Sequence, residues 1–283
     1  MKQLNIYAFA DEASPMIDGQ ITAMLRNRLQ GLEIRGVDGV NISDISLSKA
    51  REVRTRLDAS GLKVWSIGSP IGKIAIDGDH ATHIEKFRHT LEIAQELHAE
   101  NIRLFSYYID EGKNPDDFRN AVIDHLGALL SYGEGSGIRL CHENEKGIYG
   151  DNAARCLDLL NTFPQLYGIF DPANFVQCGQ DTMEAWEMLK TRIFYLHIKD
   201  ALEDGTVVPA GYGTGHLPEI LGDFTSRGGT SVTVEPHLQA FSGLGNLERP
   251  KEDRKLGGSF HFKDHDESFD KACDSLKEIL EKL

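Results

Sequence analysis

Short apolar runs alternate with stretches of helical period along almost the whole chain. Strand-like runs begin at Asn5 (NIYAFA), Gly31 (GLEIRG), Lys63 (KVWSIG) and Asn101 (NIRLFSYYI), and four more in the second half read IRLCHE, LYGIFD, IFYLH and SVTVE. Between them the spacing of apolar positions changes. Phe87, Leu91, Ala94 and Leu97 fall along one side of a helix, and Phe269, Ala272, Cys273, Leu276, Ile279, Leu280 and Leu283 form an unbroken stripe suited to docking. Further helices are predicted over 17–29, 48–59, 116–131, 151–162, 181–190 and 216–227. Pro15, Asp151, Asp181 and Pro218 are their start signals, and Gly61, Gly135 and Gly228 are stops.

Strict alternation of strand and helix requires parallel strands with helical crossovers, which leaves a closed barrel or an open doubly wound sheet. An open dinucleotide-binding sheet carries a glycine-rich turn after its first strand, whereas this chain has FADEAS there. The α/β reading taken is therefore a (β/α)8 TIM barrel. A chain of 283 residues has the length of one such barrel, and no linker, low-complexity tract or repeat divides it, so 1–283 reads as a single domain. One segment, 238–265, is too long for an ordinary connection and reads as a lid loop or a solvated insertion.

Composition narrows the partners. With 40% hydrophobic and 26% charged residues the chain is an ordinary globular one, and a formal charge of −14 would repel nucleic acid. The four cysteines form no CxxC pair, the start MKQLNIYAFADE lacks the apolar core of a signal peptide, and no apolar run could span a membrane. A cytoplasmic protein with reduced thiols and no membrane partner is expected. No oligomeric interface is legible.

Four of the strand-like runs close on metal-ligand chemistry: Glu143, Asp171, His197 and Glu235. Their separations of 28, 26 and 38 residues match strand-helix units averaging about 30 residues, so they fall on four successive strands. Strand alternation sets Cys141, Ile169, Tyr195 and Thr233 on the same face as the four, and Leu140, Phe170, Leu196 and Val234 on the other. All four groups can then point inward at one rim. Three carboxylates and an imidazole suit Mn2+ best, with Mg2+, Zn2+ or Co2+ as other divalent metals the set can accept. The carboxylate charge exceeds that of a dication, which leaves oxygens able to move protons. The plainer alternative is that each acid caps the following helix and His197 is a structural histidine.

Other candidates surround these four. Glu145 has the same phase as Glu143, which is preferred because it ends the apolar run. Lys199 could meet a developing oxyanion or donate a proton, or else pair with Asp200 at the surface. His237 could touch substrate or orient Glu235. Asp11 and Glu12 could bind substrate hydroxyls, with Asp11 as a helix cap the rival reading. Trp65, with Phe9 and Tyr107, could wall a polyol pocket or simply pack the barrel. The loop GYGTGH (211–216) follows the seventh strand, where this fold commonly holds phosphate on backbone N–H groups; the signal is weak, a flexible turn is the preferred reading, and a phosphate on the substrate stays open.

The strings HENEKGIYGD (142–151), FDPANF (170–175), YLHIKD (195–200) and VEPHL (234–238) resemble the sugar phosphate isomerase/epimerase family, the xylose-isomerase-like TIM barrels. With FADEAS and the order of units, the likeness covers nearly the whole chain. It implies Glu143, Asp171, His197 and Glu235 as metal ligands, Glu143 being the Glu of the family's EN pair, with Glu143 and Glu235 doubling as an acid/base pair. The implied activity is a divalent-metal-dependent isomerase or epimerase of a small sugar, sugar phosphate or polyol derivative. Its chemistry is proton abstraction α to a carbonyl through a metal-stabilised enediolate. Return of the proton to the same carbon epimerises, return to its neighbour isomerises, and loss of a β-hydroxyl dehydrates.

Two departures bear on substrate. Asn174 stands where the ketose 3-epimerase branch has a substrate-binding histidine, and Glu203 where it has an arginine. HIKD is more like the inosose dehydratase branch, which makes a metal-dependent lyase the alternative, and a non-catalytic sugar-binding barrel a further one. The DNA endonuclease branch needs several further histidines, whereas His83, His89, His98 and His125 fall within predicted helices.

Overall fold

The computed structural model describes residues 4–241 and 255–283. Eight parallel strands close into a barrel: β1 (Asn5–Ala8), β2 (Gly31–Ile34), β3 (Lys63–Ile67), β4 (Asn101–Leu104), β5 (Arg139–Glu143), β6 (Tyr167–Phe170), β7 (Ile193–Ile198) and β8 (Ser231–Val234). Pairing of Asn5–Ala8 with Ser231–Val234 completes the ring. Each strand is followed by helical structure, as the alternation requires.

The helices are α1 (Ile17–Arg26), α2 (Leu47–Ala59), α3 (His80–Glu96), α4 (Arg119–Gly133), α5 (Ala153–Thr162), α6 (Pro172–Gln177), α7 (Thr182–Leu189), α8 (Leu217–Ser226) and α9 (His265–Leu280). Asp181, Pro218 and the three stop glycines act as capping chemistry predicts, whereas Pro15 lies before α1, whose N-cap is Met16. Asp181 accepts the Glu184 N–H at 2.8 Å, and Gly61, Gly135 and Gly228 take the positive φ at which a side chain would be strained. Before α5 the cap is Asn152 rather than Asp151. α1 stops earlier than its apolar period suggests, because Arg28 is left-handed and Leu29 turns back to bond the Met24 carbonyl.

Period-two alternation divides the core in two. Tyr7, Trp65, Cys141, Ile169 and Tyr195 fill the barrel interior, with the rings of Tyr7 and Trp65 stacked at 4.7 Å. Leu140, Phe170, Leu196 and Val234 point the other way into the layer shared with the helices. Each fully buried aromatic or aliphatic side chain of this kind contributes roughly 1.5–3 kcal/mol.

Three features left no periodic signal. α6 is a single short helix after β6, and two small antiparallel ribbons, Gly36–Val37 with Val40–Asn41 and Asp200–Ala201 with Val207–Val208, lie at the rim. The fourth apolar run is cut short at Leu104, because Phe105 donates to the Ile71 carbonyl and Tyr107 turns left-handed. Residues 242–254 of the expected lid lie outside the described residues. At its base Leu238 and Phe241 are buried, and Leu256 bridges to Val207.

Candidate metal centre

Parallel strands run in one direction around the barrel, so their carboxyl ends meet at one rim. Glu143 ends β5, Asp171 follows β6, His197 is the next-to-last residue of β7 and Glu235 follows β8. One donor atom from each lies within 4.8 Å of the others, and all four residues are buried. His197 Nδ1 is 2.9 Å from Glu143 Oε1 and 3.4 Å from Glu235 Oε2. Neighbouring donors around an ion with bonds of about 2.1 Å stand about 3 Å apart, so this set fits a divalent cation.

Asp171 serves two purposes. It caps α6, accepting the Asn174 N–H at 3.0 Å through Oδ1, while Oδ2 turns inward to within 2.8 Å of Lys199 Nζ. Capping and ligand geometry are therefore compatible on a single carboxylate. Asn144 and Asp171 also exchange side-chain and backbone hydrogen bonds of 2.9 Å, which ties the ends of β5 and β6 together.

Cations fill the spaces between the acids. Lys199 Nζ lies 3.2 Å from Glu235 Oε2 as well as beside Asp171, Arg103 Nη1 is 3.0 Å from Glu143 Oε2, and Arg35 reaches Glu235 Oε1 at 3.4 Å. Arg35 also grips Asp11 with two bonds of 2.9 Å and Glu12 with one of 3.0 Å, between the rings of Phe9 and Phe241. The Asp11 carboxylate thus anchors an arginine instead of capping a helix. A second acidic group, Glu12, Glu235 and His237, also brings donor atoms within 4.8 Å. There the guanidinium of Arg35 already supplies positive charge.

Burial and these neighbours decide the protonation of the site. Burial opposes charge on His197, but Glu143 and Glu33 overcome it and hold the imidazole well above its ordinary pKa. Burial also opposes ionisation of Glu235, and Lys199, His237 and His197 outweigh it, so its pKa lies well below the usual range. Asp171 is raised, chiefly by burial and further by Glu235 and Glu143, against the pull of Lys199. Burial pushes Glu12 up to about 7 despite Arg35, with Asp11 and Glu235 adding to the rise.

The remaining sequence candidates divide cleanly. Asn174 Nδ2 is 3.4 Å from Glu143 Oε1, and His237 Nδ1 is 3.2 Å from Glu235 Oε1. His237 is held left-handed, with its N–H donated to Glu12 Oε2 at 2.6 Å. Glu145 pairs with Lys73 at 2.7 Å and is outside the four-residue cluster, so Glu143 is the acid that joins it. Lys199 is buried among carboxylates rather than lying on the surface. Of the two readings of Trp65, the packing one matches its position: it is stacked between Tyr7 and Phe194 in the interior layer. Among the four helical histidines, His98 is displaced to a left-handed position just past α3.

Sequence reasoning passed over Glu33, Arg35, Arg103 and Lys73. Glu33 Oε2 is 3.1 Å from His197 Nε2, and its other oxygen accepts from Tyr195 Oη at 3.0 Å and Ser66 Oγ at 3.3 Å. The signal was present in GLEIRG and NIRLF, where charged residues occupy the inward phase of otherwise apolar strands.

A sequence profile described as a xylose isomerase-like TIM barrel matches residues 29–238. The chain belongs to that family. No curated protein shows a significant sequence match. Solved structures that share the family's barrel include an IolI protein with a bound zinc atom, at 15% identity and TM-score 0.74 over 99% of both chains. A D-psicose 3-epimerase studied with D-fructose aligns at 16% identity and TM-score 0.73, over 97% of this chain and 98% of that one. A probable 3-DHS dehydratase, AsbF of Bacillus anthracis, aligns over the same shares at 14% and 0.72. At such identities the likeness shows the fold of the family and leaves the reaction open. Among the described residues no helix is long and apolar enough to cross a membrane.

Proposed function

We propose that this protein is a divalent-metal-dependent isomerase or epimerase of a small sugar or polyol derivative. The observation that carries the reading is the convergence of Glu143, Asp171, His197 and Glu235 at the rim with donor atoms within 4.8 Å. Manganese is the ion proposed, because oxygen donors dominate and one imidazole is present. When bound, a divalent ion supplies positive charge to the carbonyl and adjacent hydroxyl oxygens of the substrate.

The protein's own groups then do the proton work. Glu143 and Glu235 come from β5 and β8 and approach from different sides of the cluster. One, starting ionised, takes the proton from the carbon α to the carbonyl, and the other, starting protonated, delivers its own proton in return. Arg103 on Glu143 and Arg35 on Glu235 orient these carboxylates. Lys199 is proposed to meet negative charge developing on a substrate oxygen. Glu12, Asn174 and His237 are proposed hydroxyl contacts; Glu145 would act at one remove, through Lys73.

A lyase reading is supported by one observation, the buried ammonium of Lys199 between Asp171 and Glu235, which in that reading would protonate a leaving hydroxyl. The two are separated by incubating the manganese-loaded protein in deuterated water with ketoses and ketopolyols. An isomerase or epimerase incorporates deuterium at carbon without net loss of water; a lyase consumes substrate and produces an ultraviolet-absorbing unsaturated carbonyl. Neither change with any compound would remove the enzymatic reading in favour of a sugar-binding barrel.

A further inference from the structure

Asp200 decides what the loop after β7 can bind. Its carboxylate is fully buried and accepts the N–H groups of Ala201 and Gly215 through Oδ1, each at 2.9 Å, and those of Gly211 and Gly213 through Oδ2, at 2.9 and 3.0 Å. These include the backbone donors of GYGTGH that could otherwise have cradled a phosphate. The glycines are shaped around this internal anion. A Cβ on Gly213 or Gly215 would come within 2.3 or 2.7 Å of Asp200 Oδ1. An external phosphate would have to expel a carboxylate that already has four donors.

The rim itself offers an anion no better reception. Among the described residues, the cations facing the cluster are Arg35, Arg103, Lys73 and Lys199, and each is paired with a carboxylate. Among the described residues, the buried acids apart from Asp200 number seven, all at this rim. With all seven ionised and His197 neutral, as it must be to ligate a metal, four cations leave an excess of three negative charges, which a bound dication reduces to one. A phosphate monoester would add about two more at neutral pH, in a protein whose formal net charge is already −14.

We infer that the substrate is an uncharged sugar or polyol ketone, and that Asp200 is the residue which closes the barrel's phosphate position. The inference rests on the proposed sugar chemistry for its choice of probes, but it concerns charge and not turnover. It is tested on the full-length, metal-loaded protein with D-fructose, D-tagatose and D-psicose beside their terminal phosphate esters, and with inorganic phosphate. Carbon-bound deuterium incorporation and calorimetric binding at about 0.15 M salt are both followed. Exchange in a free sugar at least about tenfold faster than in its phosphate ester is expected, with no binding of inorganic phosphate tighter than about 1 mM. A phosphate ester exchanged as fast as its parent sugar, or inorganic phosphate bound more tightly than that limit, overturns the inference while leaving the isomerase reading intact. If no compound exchanges, that reading fails instead, and the phosphate calorimetry alone decides the inference.

Discussion

Replacing Glu33 with glutamine isolates the contribution of a residue that touches no substrate in the proposed scheme. With His197 Nδ1 facing the other candidate ligands, Nε2 carries the hydrogen and donates it to Glu33 Oε2 at 3.1 Å. Both side chains have no exposure to solvent, so the carboxylate's charge acts on the imidazole with little screening. Glutamine preserves volume and can keep an oxygen on His197 while its amide faces Tyr195 and Ser66, whose hydroxyls can accept. Only the charge is lost, and a neutral acceptor makes a bond about half as strong. Partners of metal-bound histidines typically affect affinity by about 10–100-fold, equivalent to about 1.4–2.7 kcal/mol. Manganese titration, read from the paramagnetic signal of the free ion, should therefore show Glu33→Gln binding about 10–100-fold more weakly than wild type. Ser66→Ala, which removes one bond to the far oxygen, should stay within about threefold. Wild-type affinity in Glu33→Gln would refute the orienting role. So would a loss of melting temperature in the metal-free variant large enough to account for the weaker binding.

Other outcomes follow from the same geometry. Manganese at about 100 times its dissociation constant should add about 2.7 kcal/mol, roughly 5–10 °C in melting temperature, and a chelator should reverse it; Asp171→Asn should abolish the response. Asp200→Ala leaves four backbone donors without their buried acceptor and should cost about 4 kcal/mol or more in urea unfolding, against less than about 0.5 for the exposed Glu203→Ala. His83 accepts the Gly72 N–H at 2.8 Å, and burial, aided by His80 and Lys86, pushes its pKa down to about 4. The unfolded chain then binds the extra proton between about pH 4 and 6.5, so this stabilisation is complete at pH 7 and lost on acidification. About 2 kcal/mol should be gone at pH 5, and His83→Gln should flatten that part of the unfolding profile.

Much of the fold was legible because it depends on local periodicity. Apolar residues at alternate positions mark strands whichever strands they later pair with, and the stripe from Phe269 marks α9 before its partner is known. The same alternation assigned Cys141, Ile169 and Tyr195 to the interior and Leu140, Phe170 and Leu196 to the helix layer, where they lie. Trp65 stayed open between pocket wall and barrel packing because phase along a strand gives the face and not the depth. Two interior side chains on one strand look alike in sequence, though one lines the rim and the other the packed layer below.

The chain by itself determined eight strand-helix units and the inward phase of Glu143, Asp171, His197 and Glu235, because both follow from spacing along a single covalent path. Tertiary structure alone decided which charges meet. Glu33 comes to His197 across 164 residues, Arg35 to Glu235 across 200, and Asp200 turns back into its own glycine loop. Such pairings depend on barrel closure, shear and the bends of rim loops, which bring distant segments within 3 Å or so. A linear pattern does not encode those quantities. The resulting electrostatics, and with them the inferred preference for an uncharged substrate, belong to the folded molecule.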